Sequence, residues 1–186
     1  MDDRPTLQTR RLCLRPPAPG GAAEIERLAG DRRIADTTES IPHPFPPGAA
    51  LEWIDGRAAA WAEDRSLALV VTRRADDRLV GVVSLDRRGD GTVAELGYWV
   101  AVEYWNRGYA TEAAQAILDC GFDALRLRRV TTRCFVRNPA SARVMTKAGL
   151  RWRERLPGGT VKWGVPEDVD VYELDRIGAS APGADA

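Results

Sequence analysis

Apolar positions dominate two closely spaced runs, residues 67–72 and 79–85, joined by the polar stretch 73–78, which is the signature of a β-hairpin. A second polar turn at 87–91 leads into another run, 95–102, so three consecutive strands are expected. The period then changes. Ala110, Ala113, Ala114, Ile117, Leu118, Phe122 and Leu125 make a wide helical stripe that must be buried against a sheet. Residues 129–136 are β-branched and aromatic and return to strand. The stretch 138–148 predicts a helix with Asn138 as N-cap, Pro139 at its first position and Gly149 at its end. Upstream, Leu12 and Leu14 alternate in a first strand over 9–15, and Ile25, Leu28 and Ala29 mark a short helix. Leu51, Ile54, Ala58 and Trp61 mark a second helix over 47–63. The segment 37–48 between them, with four prolines and the only histidine, reads as a stiff loop. Two last strands, 150–156 and 169–177, flank a Gly/Pro-rich loop, and the small polar tail 178–186 is expected to be disordered.

This order of elements predicts an α+β fold, a mixed and mostly antiparallel central sheet flanked by helices, in a single domain over residues 1–177. A chain of 186 residues is long enough for a real hydrophobic core. Formal net charge is zero and the basic residues are spread out, which argues against a nucleic-acid partner. The first residues are charged and the longest apolar runs are strand-sized, so neither a secretory leader nor a membrane partner is expected. Cys13, Cys120 and Cys134 lack metal-ligand spacing and each sits in an apolar pattern, so they read as small buried side chains in a reduced, cytoplasmic protein.

Candidate chemistry concentrates where the strand 95–102 meets the following helix, at Trp105-Asn106-Arg107-Gly108-Tyr109-Ala110. A helix start offers unpaired backbone N–H groups and the positive end of a dipole, and Gly108 and Ala110 let a ligand come close. Such a turn suits a phosphate or pyrophosphate. That hexad resembles the pyrophosphate loop of the GNAT N-acetyltransferases, and the stretch from Asn138 through Ser141 and Lys147 to Gly149-Leu150 resembles that superfamily's second acetyl-CoA motif. The opening Arg-Arg-Leu-Cys-Leu-Arg-Pro, the segments His43-Pro44-Phe45 and Glu52-Trp53-Ile54, and Glu95-Leu96-Gly97-Tyr98-Trp99 are similar to the RimJ/RimL type, which acetylates ribosomal-protein N-termini. The resemblance spans about residues 6–176.

The resemblance implies a GNAT-like sheet whose central strands splay, with acetyl-CoA as co-substrate and no metal. It places the pantetheine arm along Trp99, Val100 and Val102, as an added strand would lie. The pyrophosphate would rest on the amides of Asn106, Arg107, Gly108, Tyr109 and Ala110 with Thr111, Arg107 adding charge at the rim. Asn138 would bond the pantetheine chain, Ser141 would lie near the thiol, and Lys147 would reach the adenosine phosphate end. The plainer readings are a turn glycine at Gly108, a helix cap at Asn138 and core aromatics at Trp99 and Trp105.

Acetyl transfer to an amine needs a polarised carbonyl, a group to take the amine proton and a proton for the leaving thiolate. The expected mechanism is direct attack, with an N–H near Val100 on the carbonyl and Glu95 collecting the amine proton; Glu95 also reads as a structural carboxylate near a turn. Many superfamily members place a tyrosine where this chain has Met145, so Ser141 is the expected source of the thiolate's proton, with Tyr98 and Tyr109 in reserve. The acceptor is expected at the loop 39–46, with Glu39 and His43 as candidate contacts. The preferred acceptor is a protein N-terminal α-amine. A small amine such as an aminoglycoside or polyamine, or a catalytically weak acyl-CoA-binding sensor, are the alternatives, and a homodimer is consistent with the family.

Overall fold

The computed structural model describes residues 4–176; the expected tail 178–186 and Ile177 lie outside the described residues. Eight strands form one sheet: β1 (Leu7–Gln8), β2 (Leu12–Arg15), β3 (Ser66–Arg73), β4 (Leu79–Arg88), β5 (Val93–Val100), β6 (Arg129–Phe135), β7 (Arg151–Lys162) and β8 (Val165–Asp175). Their order across the sheet is β1-β2-β3-β4-β5-β6-β8-β7. Every pair is antiparallel except β5 with β6. Five helices complete the fold: α1 (Ala22–Ala29), α2 (Arg32–Thr37), α3 (Ala49–Ala62), α4 (Tyr109–Asp123) and α5 (Pro139–Lys147).

The period-2 geometry of a strand divides the core in two. Leu67, Leu69 and Val71 of β3 and Val83 and Leu85 of β4 pack in one cluster with Ile117 and Leu118 of α4. Val70 and Val82 point the other way, to Ile25 of α1 and Ala50 and Ile54 of α3. Both faces are therefore covered, which is why β3 is buried from Ser66 to Thr72. At Gly121 the contact of α4 with the sheet is close: a Cβ there would lie 2.7 Å from Leu85 Cδ1.

Five features differ from the sequence expectation, each for a local reason. The first strand starts at Leu12, because Thr9 Oγ1 accepts from the Leu12 amide at 2.9 Å and turns the chain between β1 and β2. The six-residue α2 is too short to show a helical period; Asp31 caps it by accepting from the Arg33 amide at 2.9 Å. β5 ends at Val100, and Val102 enters a one-turn 3-10 segment, Val102–Tyr104. The last two strands form one long hairpin closed at Trp163-Gly164, whose positive φ values of 54° and 76° are those of a primed hairpin turn. Pro157-Gly158-Gly159, expected as a loop, is instead a bulge within β7, with the Gly158 amide donating to Asp168 at 2.8 Å. Cys120 and Cys134 are buried as expected, whereas Cys13 is only partly so.

Candidate active site

The central strands part. β5 and β6 pair only at Val93↔Arg129, Ala94↔Val130 and Glu95↔Thr131. One further bridge follows, from Thr132 Oγ1 to the Leu96 carbonyl at 2.8 Å. Beyond it β6 stays paired with β8, up to Phe135↔Val169, and β5 stays with β4, up to Gly81↔Val100. Peptide groups alternate sides along a strand, so those of Tyr98 and Val100 face the gap as Leu96 does. The Val100 carbonyl is taken there by Trp105 Nε1 at 2.7 Å.

At the wide end of the gap lies a cavity of about 310 Å³ between the 105–108 loop, the start of α4 and α5. The loop turns back through two left-handed residues, Asn106 (φ 61°) and Gly108 (φ 76°). A side chain at Gly108 would be strained by that φ, and its Cβ would sit 3.4 Å from Arg11 Nη2. The first intrahelical bond of α4 runs from the Glu112 amide to the Gly108 carbonyl, so the amides before it are left for other acceptors.

The β1–β2 turn grips this helix start. Glu112 accepts from Thr9 Oγ1 at 2.6 Å, the Arg11 amide at 2.9 Å and Arg11 Nε at 2.6 Å. Arg11 also donates to the Arg107 carbonyl at 2.9 Å and lies 4.7 Å over the Tyr109 ring. Burial disfavours the Glu112 carboxylate, but these donors together outweigh it and hold the pKa below the ordinary value. Across the cavity, Arg143 and Lys147 of α5 have no carboxylate partner among the described residues.

A larger cavity, about 780 Å³, opens on the α1–α3 face of the sheet. Thr37, Thr38, Tyr98, Trp99 and Ser141 line both cavities, so the two meet there. At this junction the Tyr98 hydroxyl lies 2.7 Å from Ser141 Oγ and 3.3 Å from the Ser141 carbonyl. Burial raises the Tyr98 pKa, with the Ser141 bond opposing, so the phenol stays protonated. Cys134 nearby is also pushed up, to about 11, chiefly by burial and then by the charge of Asp170. A thiol so placed is a poor nucleophile. Met145, 1 % exposed, lies against the same cavity.

The charged groups of the larger cavity are mostly matched. Both Arg88 contacts to Glu95, at 2.7 and 3.2 Å, fall on Oε2, leaving Oε1 with only Arg133 Nε, at 3.8 Å, among the described residues. Arg133 pairs with Glu39 at 2.8 Å, and Asp86 accepts from Ser66 and Ser84 at 2.7 and 2.9 Å. The hairpin tip holds the wall formed by 36–41. Lys162, 5 % exposed, donates to the Glu39 and Ile41 carbonyls at 3.3 and 2.8 Å, and Trp163 Nε1 donates to Asp36 at 2.9 Å.

Residues 11–151 match the family model described as the acetyltransferase (GNAT) domain. The chain belongs to the GNAT acetyltransferase family. GNAT acetyltransferases move an acetyl group from acetyl-CoA to an amine, and this chain is an acetyl-CoA-dependent N-acetyltransferase. It is similar to the uncharacterized N-acetyltransferase YoaA of Bacillus subtilis, 28% identical over 91% of this chain and 96% of that protein. It is 33% identical to the ribosomal-protein-serine acetyltransferase of Escherichia coli, over 52% of this chain and 55% of that one. In fold it is similar to Mycobacterium smegmatis RimJ in complex with CoA-disulfide, with a TM-score of 0.82 and 23% identity, covering 94% of this chain and 88% of that one.

Within this acetyltransferase, Trp99, Val100, Asn106, Gly108, Tyr109, Ala110, Thr111, Asn138, Ser141 and Lys147 all line the smaller cavity. Val102 does not, having left the strand, and neither does Arg107, whose exposed guanidinium lies 5.8 Å over the Tyr104 ring. Asn138 caps α5 by accepting from the Ser141 amide at 3.1 Å and donates to the Thr37 carbonyl at 3.4 Å. Glu39 and Glu95 line the larger cavity; His43 does not, its Nδ1 lying 3.2 Å from the Gly30 carbonyl on the exposed side. Sequence reasoning missed the Thr9–Arg11–Glu112 clamp, Arg143, and the wall residues Thr37 and Thr38. Arg11 carried a faint signal, lying in the Arg-Arg-Leu run quoted for the family, but nothing local tied it to Glu112.

Proposed function

We propose that this acetyltransferase modifies the α-amine at a polypeptide N-terminus by direct attack on acetyl-CoA. The observation that carries the mechanism is the meeting of the two cavities at Tyr98, Trp99 and Ser141, beside the point where β5 and β6 part. The smaller cavity suits acetyl-CoA: unpaired amides at the start of α4 for the pyrophosphate, Arg143 and Lys147 for phosphate charge, and the open edge of β5 for the amides of the arm.

The acceptor amine enters from the larger cavity. Its nitrogen bonds to the acetyl carbon, with the Val100 amide aimed at the carbonyl oxygen, and the bond from carbon to sulfur breaks. Glu95 Oε1, the oxygen that Arg88 leaves open, takes the amine proton directly or through water. The departing sulfur takes the Ser141 proton while Tyr98 donates to Ser141 Oγ. The raised pKa of Cys134 speaks against a covalent cysteine intermediate. A protein N-terminus as acceptor, and a cytoplasmic setting, are supported by the likeness to the Escherichia coli ribosomal-protein-serine acetyltransferase. A polyamine acceptor is disfavoured because the acids of the larger cavity are matched by arginines or hydroxyls.

The test is release of free CoA thiol from acetyl-CoA with a panel of N-terminal peptides, aminoglycosides and polyamines. Peptide-dependent release is expected. Release with polyamines alone overturns the acceptor, and acetyl-CoA binding without acceptor-dependent release overturns the enzyme reading in favour of a sensor.

A further inference from the structure

The wall of the larger cavity carries three guanidinium groups and three carboxylates. Arg88 is paired with Glu95 and Arg133 with Glu39, while Asp86 is satisfied by two serine hydroxyls. Arg57 is left over. It has no carboxylate partner among the described residues, and its only hydrogen bond there is from Nε to the Trp53 carbonyl, one helical turn back on α3, at 3.3 Å. Its guanidinium carbon stands 5.3 Å over the Trp53 ring. Trp53 in turn packs with Phe45 and Trp99 against the buried Ile25, Ala50 and Ile54. The plate is therefore backed by the core, and the two terminal nitrogens of Arg57 keep their donors for a ligand.

A guanidinium stacked on an aromatic face has lost little of its freedom to bind, and its parallel N–H groups match the two oxygens of a carboxylate. An amine-only acceptor would leave this guanidinium without a carboxylate in a cavity whose other two guanidinium groups each have one. We infer that the acceptor carries a carboxylate besides its amine, and that Arg57, stacked on Trp53, holds that carboxylate while the amine lies at the junction with the smaller cavity. This rests on the acetyl-transfer reading above and names the substrate class for it: an amine with an acidic group a short distance away. Two sources share that chemistry, an Asp or Glu side chain near a peptide N-terminus and the carboxylate of a free amino acid or dipeptide.

The experiment compares kcat/KM on matched acceptors. One arm uses C-terminally amidated peptides with Asp or Asn at the second, third or fourth position. The other uses free amino acids and dipeptides against their amides. Wild type is expected to favour the acidic member of one arm by about tenfold or more, and the arm that shows it identifies the source. Arg57→Gln should shrink that preference to about twofold or less, and Arg57→Glu should reverse it toward the neutral member of the pair, with melting temperature checking that both variants are folded. Equal rates on acidic and neutral members in both arms overturn the inference while leaving acetyl transfer intact. A preference that survives Arg57→Gln also overturns it. If no amine is acetylated although acetyl-CoA binds, the enzyme reading fails instead. Calorimetric binding of N-acetylated acidic and amidated peptides to wild type and Arg57→Gln in the presence of CoA then still decides the role of Arg57, for or against.

Discussion

Glu95 lines the larger cavity alone and Ser141 lies at the junction that both cavities share, an arrangement that suits an acceptor-side base and an acid near the donor. Glu95→Gln keeps the shape but removes the proton acceptor, so kcat should fall on the order of 10²-fold with little change in acetyl-CoA affinity. Unchanged turnover would reduce Glu95 to a partner of Arg88. For Ser141 the hydroxyl of Tyr98 sets the prediction, since the two are 2.7 Å apart. If they act as a relay, Ser141→Ala and Tyr98→Phe each lower kcat, and the double variant is little worse than Ser141→Ala alone. Strictly additive losses in a steady-state double-mutant cycle would remove Tyr98 from the relay. The positions of Glu95 and Ser141 beside the cavities were legible because each belongs to a motif with a definite place in an element. Tyr98 is no more than a reserve by sequence, since its reach toward Ser141 depends on how far β5 and β6 separate, which no local pattern encodes. His43 stood out by its chemistry alone, and geometry turned it outward.

At the scale of elements, the strand–loop–helix unit from β5 to α4 was read almost whole, because glycine, apolar stripe and strand period all agreed there. Its end was misjudged by two residues: apolar Val102 extends the pattern, but the chain turns at Ala101. Gly108→Ala places a side chain at a left-handed φ and should cost roughly 1–2 kcal/mol of stability, together with weakened acetyl-CoA binding. Wild-type affinity by titration calorimetry would show that the turn does not contact the ligand. The long β7–β8 hairpin was the element least legible, because its glycines serve a bulge and its register is set by β6. Its tip nevertheless bears on the acceptor wall. Lys162→Met leaves the half-buried carbonyls of Glu39 and Ile41 without their donor, a loss of about 1 kcal/mol. The acceptor KM should rise several-fold while acetyl-CoA affinity holds; a matching loss of both would mark general unfolding.

For the molecule as a whole, the layer order was predictable from the alternation of strand and helix patterns, and the pairing of distant segments was not. The grip of Thr9 and Arg11 on Glu112 joins residues about 100 positions apart, and no spacing rule announces it. It has a pH signature. The folded pKa of Glu112 lies below its ordinary value of 4.5, so its contribution is fully present above that value and is lost as pH falls through the lowered one. Urea midpoints of wild type and Glu112→Gln should therefore differ by a constant amount between pH 5 and 7 and converge on acidification below about pH 4. A gap that stays constant down to pH 3 would show that the charge of Glu112 contributes nothing.

The parting of β5 from β6 leaves a sheet of two leaves, β1–β5 and β6–β8, joined by three residue pairs and one threonine hydroxyl. Amide protons along most of β3 and β4 are sealed by partners on both sides, whereas those of Tyr98 and Val100 open onto the cleft. They should exchange with deuterated solvent far sooner than their neighbours, a fast seam through the middle of an otherwise slow sheet. Acetyl-CoA lying in the cleft would close that seam, so the melting temperature should climb with its concentration, by the equivalent of about 2.7 kcal/mol at a hundred times its Kd. The sheet is in this sense completed by its own substrate.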